Sequence, residues 1–123
     1  MHKMAAKAAE ASLCAGEQGK FWEYHELTMS KQEWIEDLSS YATALKLDLG
    51  QYDNCLKTNK YASEIEKDAS LAMKLGITGV PGFILAYSDP KSPTKAKSIS
   101  FIRGAQPFDL FQRIINDVSL NAP

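Results

Sequence analysis

The sequence predicts an α/β fold, mostly helical, in which a helical insert is followed by a β-hairpin and a C-terminal helix. Three observations predict it. Apolar residues recur at helical spacing through most of residues 1–76, glycine and proline then crowd into residues 76–82, and beyond that point the apolar runs shrink to strand length before one last amphipathic stretch. At 123 residues the chain has the size of one domain with one core. The expected division is a helical part, 1–76, and a part comprising loop, two strands and terminal helix, 77–123, with no internal repeat and no interdomain linker.

Residues 3–15 are nearly all good helix formers. Met4, Ala8, Ala11 and Ala15 recur along one side as a small-residue stripe suited to close packing, and Gly16 closes the run. After Gly19, Phe21, Trp22 and Tyr24 crowd two turns of a short helix; aromatics at this spacing predict core rather than a ligand box. His25 stands beside Glu26 without a nucleophile, so it reads as a helix-surface or hydrogen-bonded residue. Trp34, Ile35, Leu38, Tyr41, Ala42 and Leu45 keep a 3.6-residue rhythm that predicts a helix ending near Leu47. Asp48 and Gln51 then form a capping-box pattern, followed by a short turn over 49–56. Asn59 starts the clearest helix, with Tyr61, Ile65, Ala69, Ala72 and Met73 on one face and Gly76 at its C′ position.

Three glycines and a proline within residues 76–82 predict a tight loop. Phe83-Ile84-Leu85-Ala86-Tyr87 is an apolar run of strand length, expected to be buried on both faces. Residues 89–98 read as a polar loop with two prolines, and Lys91, Lys95 and Lys97 as a solvated hairpin tip. Ile99-Ser100-Phe101-Ile102 is a second strand, antiparallel to the first. Pro107 suits a helix N1 position and opens a last helix whose inner side carries Phe108, Phe111, Ile114, Ile115 and Val118.

The balance of 14 basic and 15 acidic residues, with no stretch joining basic residues to aromatics, excludes a nucleic-acid partner. The longest apolar run, 80–87, is interrupted by Pro81 and Gly82 and is far short of the ~20 residues a membrane-spanning helix needs. No His/Cys/Asp cluster has zinc spacing and no glycine loop has phosphate-binding form, so neither a metal nor a cofactor is expected. Residues 1–6 run into the first helical pattern without an apolar h-region, so no signal peptide is read in this chain and its compartment stays open.

Four words in the sequence are more specific than this pattern. They are Ala15-Gly16-Glu17-Gln18-Gly19-Lys20-Phe21-Trp22-Glu23-Tyr24-His25; Cys55-Leu56 leading to Lys60-Tyr61-Ala62; Leu75-Gly76-Ile77-Thr78-Gly79-Val80-Pro81-Gly82-Phe83; and Gly104-Ala105-Gln106-Pro107-Phe108. In order and approximate spacing they resemble the DsbA-like, thioredoxin-fold disulfide oxidoreductases, a family of bacterial protein disulfide oxidoreductases and isomerases, over nearly the whole chain. The resemblance implies a truncated thioredoxin-like (DsbA-type) fold, because in that family a C-x-x-C at the start of a helix comes before everything seen here. Disulfide exchange needs a thiolate whose pKa is lowered by a helix N-terminus and a second thiol in the same turn. Cys14 and Cys55 are separated by forty residues, so neither belongs to such a pair, and the chain alone is expected to be inert.

The resemblance further implies a substrate-docking loop at Thr78, Gly79, Val80 and Pro81, with a cis Val80–Pro81 bond and backbone hydrogen bonds lent to the substrate by Val80. It implies protein or peptide thiols and disulfides as partners of the intact protein, and a periplasmic or exported setting. Some members carry a structural disulfide in the helical insert, so Cys14 and Cys55 are either such a bond, worth roughly 3–4 kcal/mol for a loop of this length, or two buried free thiols. The 83–87 strand lies inside the family's sheet; here one of its edges is expected to be open, and self-association through Phe83 to Tyr87 follows. Two alternatives stand beside this reading: a non-catalytic peptide-binding module of the same fold, and a relative of the kappa-class glutathione transferases and hydroxychromene-carboxylate isomerases, which share the fold and the cis-proline. The ending Gly104-Ala105-Gln106-Pro107-Phe108 suits the DsbA group better.

Overall fold

In the computed structural model, which describes residues 3–120, the helical part is five helices: α1 (Ala5–Gly16), α2 (Phe21–Ser30), α3 (Leu38–Ala44), α4 (Leu49–Lys57) and α5 (Ala62–Lys74). A two-stranded antiparallel sheet follows, β1 (Gly82–Asp89) and β2 (Ser92–Arg103), and then α6 (Phe108–Leu120). The order is the expected one: helical insert, hairpin, terminal helix. The chain divides after Leu71 into two compact units. None of the described helices is long and apolar enough to cross a membrane.

Several boundaries differ from the sequence expectation, each for a local reason. The rhythm from Trp34 to Leu45 is not one helix: Gln32–Trp34 is a 3₁₀ turn, and α3 begins only after Asp37. The Asp37 carboxylate accepts from the Ser39 N–H (3.2 Å) and from Ser40 Oγ (2.7 Å), a cap that starts a new helix. Trp34 and Ile35 still pack on the core, so the periodicity reported burial and not backbone continuity. Residues 49–56, expected as a turn, lie in α4, whose N-terminus is capped by Asp48 Oδ1 accepting from the Gln51 N–H at 2.9 Å. The reciprocal arm of the capping box comes from another helix end. Gln18 Oε1 accepts from the Asp48 N–H (2.8 Å), and Gln18 Nε2 donates to the Asp48 carbonyl (3.1 Å).

Asn59 closes α4 instead of opening α5. Four helix ends share one motif, in which the N–H after a left-handed residue reaches a carbonyl five residues back: Lys20 to Ala15, Leu47 to Ala42, Lys60 to Cys55 and Ile77 to Ala72, at 2.9–3.2 Å. The left-handed residues are Gly19, Lys46, Asn59 and Gly76. α1 ends at Gly16, and Gly19 makes the left-handed turn beyond it. Lys46, at φ 55°, bears the Cβ clash that glycine avoids at positions 19 and 76.

The core of the helical unit is built from small residues on α1 and large ones facing them. Ala11, Cys14 and Ala15 are fully buried, and this stripe lets neighbouring helices approach closely enough for Cys14 to form a disulfide with Cys55 on α4, with Cα atoms 5.9 Å apart. Tyr24, Tyr41 and Tyr52 fill the remaining space, and each hydroxyl has a partner. Tyr24 and Tyr52 hydroxyls lie 2.7 Å apart, both within reach of the Leu38 carbonyl, while Tyr41 donates to the Lys31 carbonyl at 2.6 Å. Burial pushes the Tyr52 phenol up to about 12 and raises Tyr24 further, since neither can ionise without bringing a charge into the core.

The aromatic helix α2 contributes only part of what the sequence promised. Tyr24 is buried and Phe21 half-buried, but Trp22 is 71% exposed. Two positions along a helix are about 200° apart around its axis, so Trp22 and Tyr24 cannot face the same core. Lys7 ties α1 to the close of α4, donating to the Leu56 carbonyl (2.9 Å) and Asn59 Oδ1 (2.8 Å) while pairing with the buried Glu10. Glu17 meets Lys60 (2.5 Å) and the Tyr61 hydroxyl (2.8 Å), which together hold its carboxyl below the usual range.

From Ala72 onward burial is much thinner. β1 pairs with β2 from Gly82↔Arg103 through Ile84↔Phe101, and the register slips between Leu85 and Ala86, where Ile99 is the extra residue of a bulge. The polar stretch expected as a loop is mostly strand, because β2 begins at Ser92; the turn is confined to Pro90 and Lys91, where Asp89 Oδ1 accepts from the Lys91 N–H at 2.8 Å. Antiparallel ladders need backbone partners and tolerate polar side chains. The expectation that β1 is buried on both faces is also corrected: Phe83 is 42% exposed and residues 84–87 are half-buried, since a sheet of two strands cannot cover both of its faces. α6 touches the sheet through the Phe83–Phe111 ring pair, with centroids 4.9 Å apart, and through a hydrogen bond from the Tyr87 hydroxyl to the Val118 carbonyl. Of its expected inner side, Phe111, Ile114 and Val118 are half-buried, while Phe108 and Ile115 are exposed. On α5, Ile65 and Ala72 are half-buried and Ala69 and Met73 are exposed. Pro107 sits just ahead of α6, its carbonyl accepting from the Leu110 N–H at 3.0 Å.

Candidate functional site

The loop between α5 and β1 is shaped by glycines at both ends. Gly76 turns the chain out of α5 in the left-handed region. At Gly82 a Cβ would stand 3.0 Å from Ile77 Cγ2, a tight contact that would make the Ile77 side chain give way by a few tenths of an ångström, so glycine lets the loop lie close over the start of the sheet. Between them the Val80–Pro81 peptide bond is cis. The Pro81 carbonyl accepts from the Gly104 N–H at 2.8 Å, and Gly104 is itself left-handed. Gln106 fixes the turn beyond, donating from Nε2 to the Arg103 carbonyl (2.8 Å) and from its N–H to the Gly104 carbonyl (3.0 Å). Two words quoted separately from the sequence, the Val80-Pro81 loop and the segment starting at Gly104, are thus hydrogen-bonded to each other.

A cleft of about 210 Å³ opens here, lined by Thr78, Val80, Pro81, Phe101, Arg103 and Gly104. Val80 is 93% exposed, and among the described residues neither its N–H nor its carbonyl has a hydrogen-bond partner. Such a backbone edge can accept an extended chain, since unpaired strand-like N–H and C=O groups are a template for pairing. Thr78, Gly79, Val80 and Pro81 all line the cleft, together with Gly82. Phe101 and Arg103 are the residues that sequence reasoning missed. The signal was present: antiparallel pairing of the 83–87 and 99–102 strands places whatever follows Ile102 beside whatever precedes Phe83.

Cys14 and Cys55 lie elsewhere, in the core of the helical unit, and both are consumed by their mutual disulfide; the chain has no other cysteine. Cys55 Sγ lies 3.9 Å from Glu17 Oε1, a contact and not a hydrogen bond, because a disulfide sulfur carries no proton. His25 is exposed, its ring stacked on Phe21 at 6.2 Å and edge-on to Trp22 at 5.9 Å. Among the described residues no three His, Cys, Asp or Glu side chains gather as a metal would require.

Residues 1–116 match the model of the DSBA-like thioredoxin domain, and the chain belongs to that family. Among curated proteins it is similar to Na(+)/H(+) antiporter NhaA 3 of Salinispora tropica, with 33% identity over 81% of this chain and 16% of that protein. It is also similar to Na(+)/H(+) antiporter NhaA 1 of Salinispora arenicola, with 37% identity over 69% of this chain and 13% of that protein. NhaA 1 of Mycobacterium sp. strain KMS is 30% identical over 80% of this chain and 17% of that protein. The chain thus spans about a sixth of the length of the curated relatives it matches. No solved structure matches it.

Proposed function

We propose that this chain is the helical and substrate-docking portion of a thiol–disulfide oxidoreductase, in which the C-x-x-C lies on a segment outside these 123 residues, and that the chain alone does not catalyse exchange. The observation that carries the reading is the Val80-Pro81 loop: an exposed residue ahead of the proline with free backbone groups, and a cleft beside it. Val80 pairs with an extended substrate segment, and the reacting sulfurs come from substrate and from the C-x-x-C. The partners are protein or peptide thiols and disulfides. The Cys14–Cys55 bond supports work in an oxidising, periplasmic or exported setting, where such bonds persist. The test is direct: the purified chain is mixed with insulin and dithiothreitol, and with a reduced dithiol peptide. Rates equal to the uncatalysed background are expected; turnover above background overturns the proposal.

The consumed cysteines favour a second reading, a docking module that binds peptides without chemistry. Proteins named as Na(+)/H(+) antiporters contain a matching stretch of about a sixth of their length, which suits a module carried by a larger protein. The reading frame around the chain separates the two readings, since a C-x-x-C there supports the oxidoreductase. In either case, β1 pairs on one side with β2, and its other edge has no strand beside it among the described residues. That edge drives self-association through Phe83 to Tyr87. Sedimentation at rising concentration is expected to show oligomers with protected β1 amides; a monodisperse monomer with those amides exchanging freely removes this part.

A further inference from the structure

We propose that Arg103 makes the Val80-Pro81 cleft selective for acidic peptides, an inference that rests on the docking reading above and names the substrate class it takes. Arg103 ends β2 directly opposite Gly82 in the register, two residues beyond Val80. Its guanidinium stands over the Phe101 ring, 5.2 Å from the centroid, and its backbone is held by the hydrogen bond from Gln106. Phe101 itself lines the cleft. Stacking on a ring face leaves the N–H edges of a planar guanidinium free, and that fork matches a carboxylate in bidentate fashion.

The charge around it is uncompensated. Lys7, Lys20, Lys31 and Lys60 each have a carboxylate partner within ion-pair distance, whereas among the described residues Arg103 has none. No Asp or Glu lines the cleft. An extended peptide hydrogen-bonded to Val80 turns alternate side chains to opposite faces, so one near the docked residue faces Arg103. An Asp or Glu there gains a preoriented partner, and a Lys or Arg meets repulsion.

The experiment titrates the whole chain with extended peptides that differ only by Glu, Gln or Lys beside the docked residue, following the amide shifts of Gly79, Val80 and Gly82. At low ionic strength the Glu peptide is expected to bind about fivefold more tightly than the Gln peptide, an advantage that shrinks in high salt. Arg103→Gln abolishes the difference, Arg103→Lys keeps part of it, and Arg103→Glu reverses it in favour of the Lys peptide; the side chain is exposed, so these variants fold. Equal affinities for the Glu and Gln peptides overturn the role of Arg103 while the docking reading stands. Titration of all peptides without a shift at those three amides overturns both.

Discussion

Up to Leu71 the chain encloses ten apolar side chains in one buried cluster; from Ala72 onward, among the described residues, only Ile102 is buried to that degree. Both halves are rich in regular structure, and the difference lies in what that structure can enclose. Four helices, α1 to α4, surround a common interior, and a disulfide joins two of them. A two-stranded sheet with one helix has too few layers to do the same, and it leaves Phe83, Val80 and Phe108 facing outward. Secondary structure and a core are thus separate achievements. The half with the weaker core is the half that carries the cleft.

The largest expected effect tests whether the helical core stands by its own packing. The disulfide closes a loop of 41 residues in sequence separation, for which the chain-entropy model gives about 4 kcal/mol. Replacing both Cys14 and Cys55 by Ala is expected to lower the stability measured by far-ultraviolet circular dichroism in urea by about that much; a loss below ~1 kcal/mol would mean that packing alone holds the helices.

A smaller effect comes from the paired tyrosines. Tyr52→Phe removes one buried hydrogen-bonding hydroxyl and is expected to cost about 1–2 kcal/mol at neutral pH. The pH dependence has a definite sign. The folded-state pKa of Tyr52 is raised to about 12 from an ordinary 10, so the folded chain holds its phenol proton where the unfolded chain releases it. Stability is complete below pH 10 and declines as pH rises from 10 to 12. Stability curves against pH should therefore be shallower for Tyr52→Phe than for the parent chain; identical slopes would show that the phenol ionises freely in the fold.

The smallest effect is a gain. Lys46 adopts the left-handed conformation that Gly19 and Gly76 adopt at equivalent helix ends, and Lys46→Gly is expected to stabilise the helical unit by about 1 kcal/mol. A neutral or destabilising result in the same urea assay would show that the unfolded-state entropy of glycine outweighs the relieved clash. In the second half no helix end offers a comparable gain, because Gly76 and Gly104 already occupy its left-handed positions.

Much of this was legible from the chain alone, and the misses share a cause. The helices containing Met4 to Ala15 and Phe108 to Val118 were visible because 3.6-residue periodicity is a property of neighbouring residues. Trp22 was assigned to the core with Tyr24 because aromatic content was read without helical phase, although phase puts one inside when the other is out. The split at Asp37 was hidden because Trp34 and Ile35 remain packed on the same core across a break in the backbone. Gln18 as the partner of Asp48 could not be read at all, since thirty residues separate them and nothing local signals the contact.

The sequence by itself determined the coarse order of helical part, hairpin and terminal helix, the glycine-bracketed loop around Val80 and Pro81, and the lack of any C-x-x-C in this chain. Tertiary structure alone decided that Cys14 meets Cys55, that two tyrosine hydroxyls share one carbonyl, and that Arg103 stands beside the loop. The physical reason is range. Turn chemistry and helix capping are settled within a few residues, whereas those contacts form only when packing brings distant segments together, and packing depends on every side chain that has to be fitted at once.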